Sequence, residues 1–143
     1  MNNNSIPQTA FNFLVDIDGI RSAGFSEVSG LNIETEIEQI EEGGTNNFVY
    51  QLPKRSKFSN ITLKKGLTFS RDLYEWYLEI IHGNITHKKL QITLLDKKGK
   101  SEIRDWHFKN AFPIKWIGPD LNADSNNLAF ESIELAHEGL SFR

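Results

Sequence analysis

At 143 residues, with 38% hydrophobic residues and a formal net charge of −3, the chain is one domain long and can bury a core. So small a net charge argues against nucleic acid or an anionic membrane as the main partner. The absence of cysteine excludes disulfides, thiolate metal sites and thiol nucleophiles.

The start, MNNNSIPQTA (1–10), reads as a polar arm without the blocks of a signal peptide, so Sec-type export is not expected. No apolar run approaches the roughly 18 residues of a membrane span, so no membrane insertion is expected. In FNFLVDIDG, Phe11, Phe13, Val15 and Ile17 alternate with other residues and Asp18-Gly19 supplies a turn, the pattern of a strand. GFSEVSG is a short strand candidate bounded by glycines. LNIETEIEQIEEGG (31–44) fits two periods. Ile33, Ile37 and Ile40 suit a helical stripe, whereas Leu31, Ile33, Thr35 and Ile37 alternate with Asn32, Glu34, Glu36 and Glu38. A helix would stack Glu34 on Glu38 and Glu38 on Glu42, and like charges at that spacing repel. The reading is therefore a strand over 31–40, ended by Gly43-Gly44.

Segment 45–59 holds one short apolar run, then Pro53 and a basic patch, and reads as a long hairpin or a mobile loop. NITLKKGLTF (60–69) resumes the sheet. SRDLYEWYLEIIHG predicts the one helix, at about 71–82. Ser70 serves as cap, Asp72 favours the dipole, and Gly83 is the stop. Its stripe is Leu73, Trp76, Tyr77, Ile80 and Ile81. The second half predicts strands in KLQITLLD, SEIRDWHF, NAFPIKWIG and LAFESIELAHEGLSF. A turn is expected at Gly99, a loop at PDLNADSN, and an edge or bulge at Pro113. Ile133 and Leu135 share a face of the last segment. The expected fold is mainly β, a sandwich or barrel with one packed α-helix, as a single domain over 11–143.

Local signs of chemistry are weak. His82, His87, His107 and His137 occur singly, without metal-ligand spacing, so no metal or other cofactor is expected. There is no Gly-rich phosphate loop and no G-x-S-x-G elbow. Glu34, Glu36 and Glu38 could resemble the paired carboxylates of a glycosidase, but such pairs face each other across a cleft with sugar-stacking aromatics nearby. Three glutamates on one strand face are more often a solvated or interfacial face, and no enzyme is expected. PKRSKF places Lys54, Arg55, Lys57 and Phe58 together, yet a pI near 5.8 lacks the wider basic footprint of nucleic-acid binding.

Charge is nevertheless segregated. Residues 31–44 carry five glutamates (Glu34, Glu36, Glu38, Glu41, Glu42) and no basic residue. Residues 53–69 carry five cations (Lys54, Arg55, Lys57, Lys64, Lys65) and no acid. The two stretches either pair within the monomer, remain solvated, or meet opposite patches on neighbouring copies. A head-to-tail contact of the last kind builds rings or filaments.

FNFLVDIDGIRSAGFSEVSGLNIETEIEQIEEGG resembles the opening of the tail-tube proteins of contractile phages and phage-like injection systems. NITLKKG, LYEWYLEI, WHFKNAFPIKWIGPDLNA and ESIELAHEGL follow in the family's order, so the resemblance runs from about Phe11 to Leu140. It implies a structural subunit that forms hexameric rings stacked into a hollow tube, the inner strands forming a continuous barrel around the lumen. The implied partners are a contractile sheath protein, baseplate and terminator proteins, and cargo in the lumen. Assembly is expected in the bacterial cytoplasm, the product being a virion tail or an extracellular injection particle. On this resemblance Glu34, Glu36, Glu38, Glu41 and Glu42, with Lys54, Arg55 and Lys57, face the lumen or a neighbouring subunit. Segment 45–59 would be an extended loop reaching that neighbour. The alternatives are a tube-initiating or baseplate-proximal paralogue and a free-standing β-sandwich binding module.

Overall fold

The computed structural model describes residues 12–20, 24–41, 43–44, 49–96, 101–124 and 129–142. The arm at 1–10, Phe11, Glu42 and the turn expected at Gly99 lie outside them. Nine strands and one helix occur among the described residues: β1 (Asn12–Ile17), β2 (Phe25–Ser29), β3 (Ile33–Ile40), β4 (Tyr50–Phe58), β5 (Ile61–Gly66), α1 (Asp72–Ile81), β6 (Lys88–Leu95), β7 (Glu102–Ile117), β8 (Phe130–Ala136) and β9 (Leu140–Phe142).

Seven strands make one antiparallel sheet in the order β1-β6-β7-β8-β5-β2, with β9 beside β7, while among the described residues β3 and β4 pair only with each other. The larger sheet ends at β1 and β2 and does not close into a barrel. Period-2 patterning sets its inner face. Ile61 and Leu63 of β5 lie opposite Leu135 and Ile133 of β8, all at 0% exposure. They share one core with Ile17, Leu90, Ile92, Phe108 and the helical Leu73 and Trp76. Burying each large apolar side chain contributes about 1.5–3 kcal/mol, which makes this cluster the main source of stability.

The expected break between SEIRDWHF and NAFPIKWIG is absent: both lie in the single 16-residue strand β7. Its first part pairs with β6 and β9 and its last part with β8. Between them Asn110 adopts φ 50°, a left-handed conformation that asparagine tolerates. The register also shifts between Pro113 and Lys115, which places the proline at a bulge, as anticipated. Thus β7 bends instead of ending.

Helix α1 starts one residue later than its expected cap implies. Arg71 occupies the N-cap without a side-chain bond, and Ser70 Oγ accepts the Asp72 N–H at a long 3.5 Å. At the other end Gly83 N–H donates to the Ile80 carbonyl and Asn84 N–H to that of Glu79, a Schellman stop that requires the positive φ of Gly83. Leu73 and Trp76 are buried, whereas Ile81, at the end of the predicted stripe, is 60% exposed. Trp76 Nε1 donates to the Thr86 carbonyl at 2.8 Å, and Tyr74 packs on Trp116 of β7 with ring centroids 4.9 Å apart.

Of the segment 45–59, residues 45–48 lie outside the described residues, and the rest favours the hairpin. Tyr50–Phe58 is strand and pairs with β3, so the mobile-loop reading fails there. Pro53 is tolerated because β4 has a free edge and a register shift beside it.

Gly30 marks the point where the chain leaves the main sheet for this hairpin. Its φ is +95°, and a Cβ there would lie 1.9 Å from the Asn60 carbonyl oxygen. Gly30→Ala is expected to lose about 3 kcal/mol or more, combining left-handed strain with a backbone clash. Urea unfolding checks this, and a midpoint within error of the parent's would refute the clash.

Candidate assembly hairpin

Every residue of β3 and β4 is exposed. A lone two-stranded hairpin is marginal in water, and contiguous exposed apolar surface usually marks a binding face. Here Ile33, Ile37, Leu52 and Phe58 are 45%, 52%, 47% and 38% exposed.

Cross-strand register sorts the ribbon into two faces, because directly opposed residues point the same way. Ile33 opposes Phe58, Thr35 opposes Ser56, Ile37 opposes Pro53 and Gln39 opposes Gln51, giving a largely uncharged face. Thr35 and Ser56 hydroxyls are hydrogen-bonded at 2.8 Å. The other face opposes Glu34 to Lys57, Glu38 to Leu52 and Ile40 to Tyr50. Between Thr35 and Ile37 the register shifts, so Glu36 stands against the two residues Lys54 and Arg55. This is a bulge with the additional residue on β4. The acidic and basic stretches therefore occupy opposite strands of one ribbon. Yet among the described residues no ion pair within 4.0 Å joins Glu34, Glu36, Glu38 or Glu41 to Lys54, Arg55 or Lys57. Glu41 follows β3 and is exposed.

The base of the ribbon is tied down. Ser59 N–H donates to the Asn32 carbonyl at 3.2 Å, closing the two legs. His137, just after β8, donates from Nε2 to the Ser59 carbonyl at 2.9 Å, and its ring lies 5.9 Å from that of Phe58.

Two of the five cations counted in 53–69 are not part of this surface. Lys64 lies 3.8 Å from Glu27 and over the Phe130 ring. Lys65 is 1% exposed and 3.4 Å from Glu131, itself 4% exposed, directly opposite it in the β5–β8 register. Trp116 Nε1 donates to the second oxygen of Glu131 at 3.1 Å. Counting charges missed this pair. Strand parity would have found it, because Lys65 continues the inward series Ile61, Leu63.

Among the described residues there is no group of three metal-binding side chains. His107 stands opposite Ser141 and 3.8 Å from Asp105, but its Nε2 makes no hydrogen bond, and none joins it to the serine hydroxyl. A nucleophile activated by a base needs that bond.

The profile of the family described as T4-like virus tail tube protein gp19 matches residues 9–141. The chain belongs to that tail tube family. No curated protein sequence matches it significantly. Among solved structures, it is similar to a chain of the PVC extracellular contractile injection system sheath/tube terminator in the extended state, with 28% identity, TM-score 0.82, and coverage of 99% of this chain and 98% of that one. A chain of the PVC sheath–tube complex in the extended state shares 28% identity over 98% of this chain and 92% of that one, with TM-score 0.80. A chain of the anti-feeding prophage tube terminating cap shares 26% identity over 100% and 93%, with TM-score 0.82. The tail tube protein is thus a structural tube subunit of a contractile phage tail or an extracellular injection particle.

Proposed function

We propose that the chain is the main inner-tube subunit, forming hexameric rings that stack into a hollow tube, and that the β3–β4 hairpin is its principal contact with neighbouring copies. The observation that carries this reading is the exposure of all 17 strand residues of the hairpin, 8 in β3 and 9 in β4, with Ile33, Ile37 and Phe58 on one face. Such a ribbon gains its stability from neighbours that cover it. The uncharged face packs on the adjacent subunit, and Glu34, Glu36 and Glu38 border the lumen or meet Lys54, Arg55 and Lys57 of a neighbour. The ends of the open sheet, β1 and β2, are then covered in the assembly, which removes the hazard of free edges. A contractile sheath around the tube, terminator and baseplate proteins at its ends, cargo in its lumen and assembly in the bacterial cytoplasm complete the reading. The solved relatives include a sheath–tube complex and a tube terminator, which supports those partners. The protein performs no catalysis in this role.

Negative-stain electron microscopy with light scattering tests it. Purified protein is expected to give rings or stacked tubes with a central channel, and Ile37→Glu is expected to give a folded monomer. A strict monomer at high concentration from the parent chain would overturn the main-subunit reading.

A further inference from the structure

We propose that the β3–β4 hairpin of one copy docks on an apolar patch of a second copy, formed at the far end of the main sheet by Leu67, Phe69, Ile117 and Leu121. Strand β5 separates the two surfaces. Its first residue, Ile61, follows the hairpin leg through Phe58, Ser59 and Asn60, and its last, Gly66, leads into Leu67. At about 3.3 Å per residue these two ends lie roughly 17 Å apart. The strands beside β5 show the same polarity. Leu135 stands opposite Ile61 and Ala136 opposite Phe112 at the hairpin end. At the other end Phe130 stands opposite Gly66 and Ser132 opposite Ile117. Leu67 N–H donates to the Ala129 carbonyl at 2.9 Å, which anchors the chain there.

The two surfaces match in polarity and in charge. Phe69 is 106% exposed and Leu121 84%, while Leu67 and Ile117 are about half exposed. The segments LTFS (67–70) and IGP (117–119) carry no charge, like the ribbon face on which Ile33 stands with Phe58 and Ile37 with Pro53. Joining them removes apolar area from water without stranding an ion. The rims are of opposite sign. Exposed Asp120 and Asp124 flank Leu121, and IGPDLNAD (117–124) holds no basic residue. On the ribbon, the strand that supplies Pro53 and Phe58 also carries Lys54, Arg55 and Lys57. Among the described residues none of these five charges takes part in an ion pair within its own copy.

Membership of a tube family selects a second copy as the occupant, because a tube repeats one contact many times. Hairpin against hairpin would be an isologous contact: it closes at two copies and leaves the far patch bare. Hairpin against the far end joins two different surfaces. Each pair then still offers one of each, and addition continues. What the contact builds rests on the proposed tube reading, but the contact itself does not.

Cross-linking of the full chain tests the contact, and the absence of native cysteine makes each engineered thiol unique. Ile37→Cys chains and isotope-labelled Phe69→Cys chains are mixed in equal amounts, treated with a short bismaleimide and digested, and the joined peptides are weighed. Position 37 joined to position 69 is expected as the main product; with one thiol per chain, that link can arise only between copies. Links of 37 to 37 or of 69 to 69 as the main products, or no link in assembled protein, would overturn the proposal. In parallel, Phe69→Glu is expected to raise the concentration needed for assembly about tenfold or more, and Phe69→Leu to keep it near the parent's. Because Phe69 is fully exposed, the urea midpoint of Phe69→Glu is expected to match the parent's. Unchanged assembly of Phe69→Glu would also overturn the proposal; should that variant unfold, the cross-link alone decides. A parent that forms neither rings nor tubes denies the ring reading. The link between positions 37 and 69 at high concentration then still judges the contact, its presence upholding it and its absence overturning it.

Discussion

Lys65→Met is expected to destabilise the subunit by about 3–5 kcal/mol, because it strands the Glu131 carboxylate in the core. Both members of the pair are almost inaccessible, at 1% and 4% exposure, so water cannot replace the lost ammonium. The Coulombic attraction itself contributes little net, since desolvating two ions costs about as much as their pairing returns. The penalty comes from leaving one behind. The double variant Lys65→Met with Glu131→Gln is therefore expected to regain most of the loss: no ion remains, and the glutamine oxygen still accepts the Trp116 N–H now held by Glu131. Urea unfolding followed by tryptophan fluorescence reads both variants, best in an Ile37→Glu background that keeps the chain monomeric. A single variant within about 1 kcal/mol of its parent would show that the carboxylate escapes to solvent or takes up a proton cheaply.

Mixing two assembly-dead variants is expected to restore tubes if charge complementarity acts between copies. One variant carries Lys54→Glu, Arg55→Glu and Lys57→Glu; the other carries Glu34→Lys, Glu36→Lys and Glu38→Lys. Each ribbon alone is like-charged on both strands, so each repels itself and its own kind. Register makes the mixture informative, since Glu34 opposes Lys57 and Glu36 opposes the Lys54–Arg55 bulge within one chain. Combining all six reversals in one polypeptide repairs contacts within the ribbon and between copies alike, and so cannot separate them. An equimolar mixture repairs only contacts between chains. Tubes in the mixture, absent from either component and weakened by salt well above about 0.1 M, would establish pairing across the interface. Full assembly of either variant alone would show that the charged face borders solvent instead.

Much of this architecture was legible because its strands bury one face. Phe13, Val15 and Ile17 announce β1, and Ile133 with Leu135 announce the inner side of β8. Strand β3 was readable for the opposite reason: its glutamates repel at helical spacing, which removed the competing period. The sequence did not disclose that β7 runs through Asn110 and Pro113, since residues that normally end strands here produce a bend. Nor did it show that β4 pairs only with β3, because Leu52 and Phe58 carry the same apolar signal whether a core or a neighbour covers them. Of the candidate surface, the residue types and their charge segregation were visible in advance. Their division into two faces was not, because it depends on a bulge register that only the paired backbone reveals.

The unbroken course of β7 also has a mechanical consequence. Half of the sheet, with β1, β6 and β9, and the other half, with β8, β5 and β2, are joined through one covalent strand. Force applied to either half along the strand direction reaches the other through the backbone of β7, and its ladder hydrogen bonds then resist together in shear. Pulled crosswise, the same bonds would fail one after another, like a zip. Because β7 bends near Asn110, the two halves present their ladders along different directions, and that one strand carries load from one to the other.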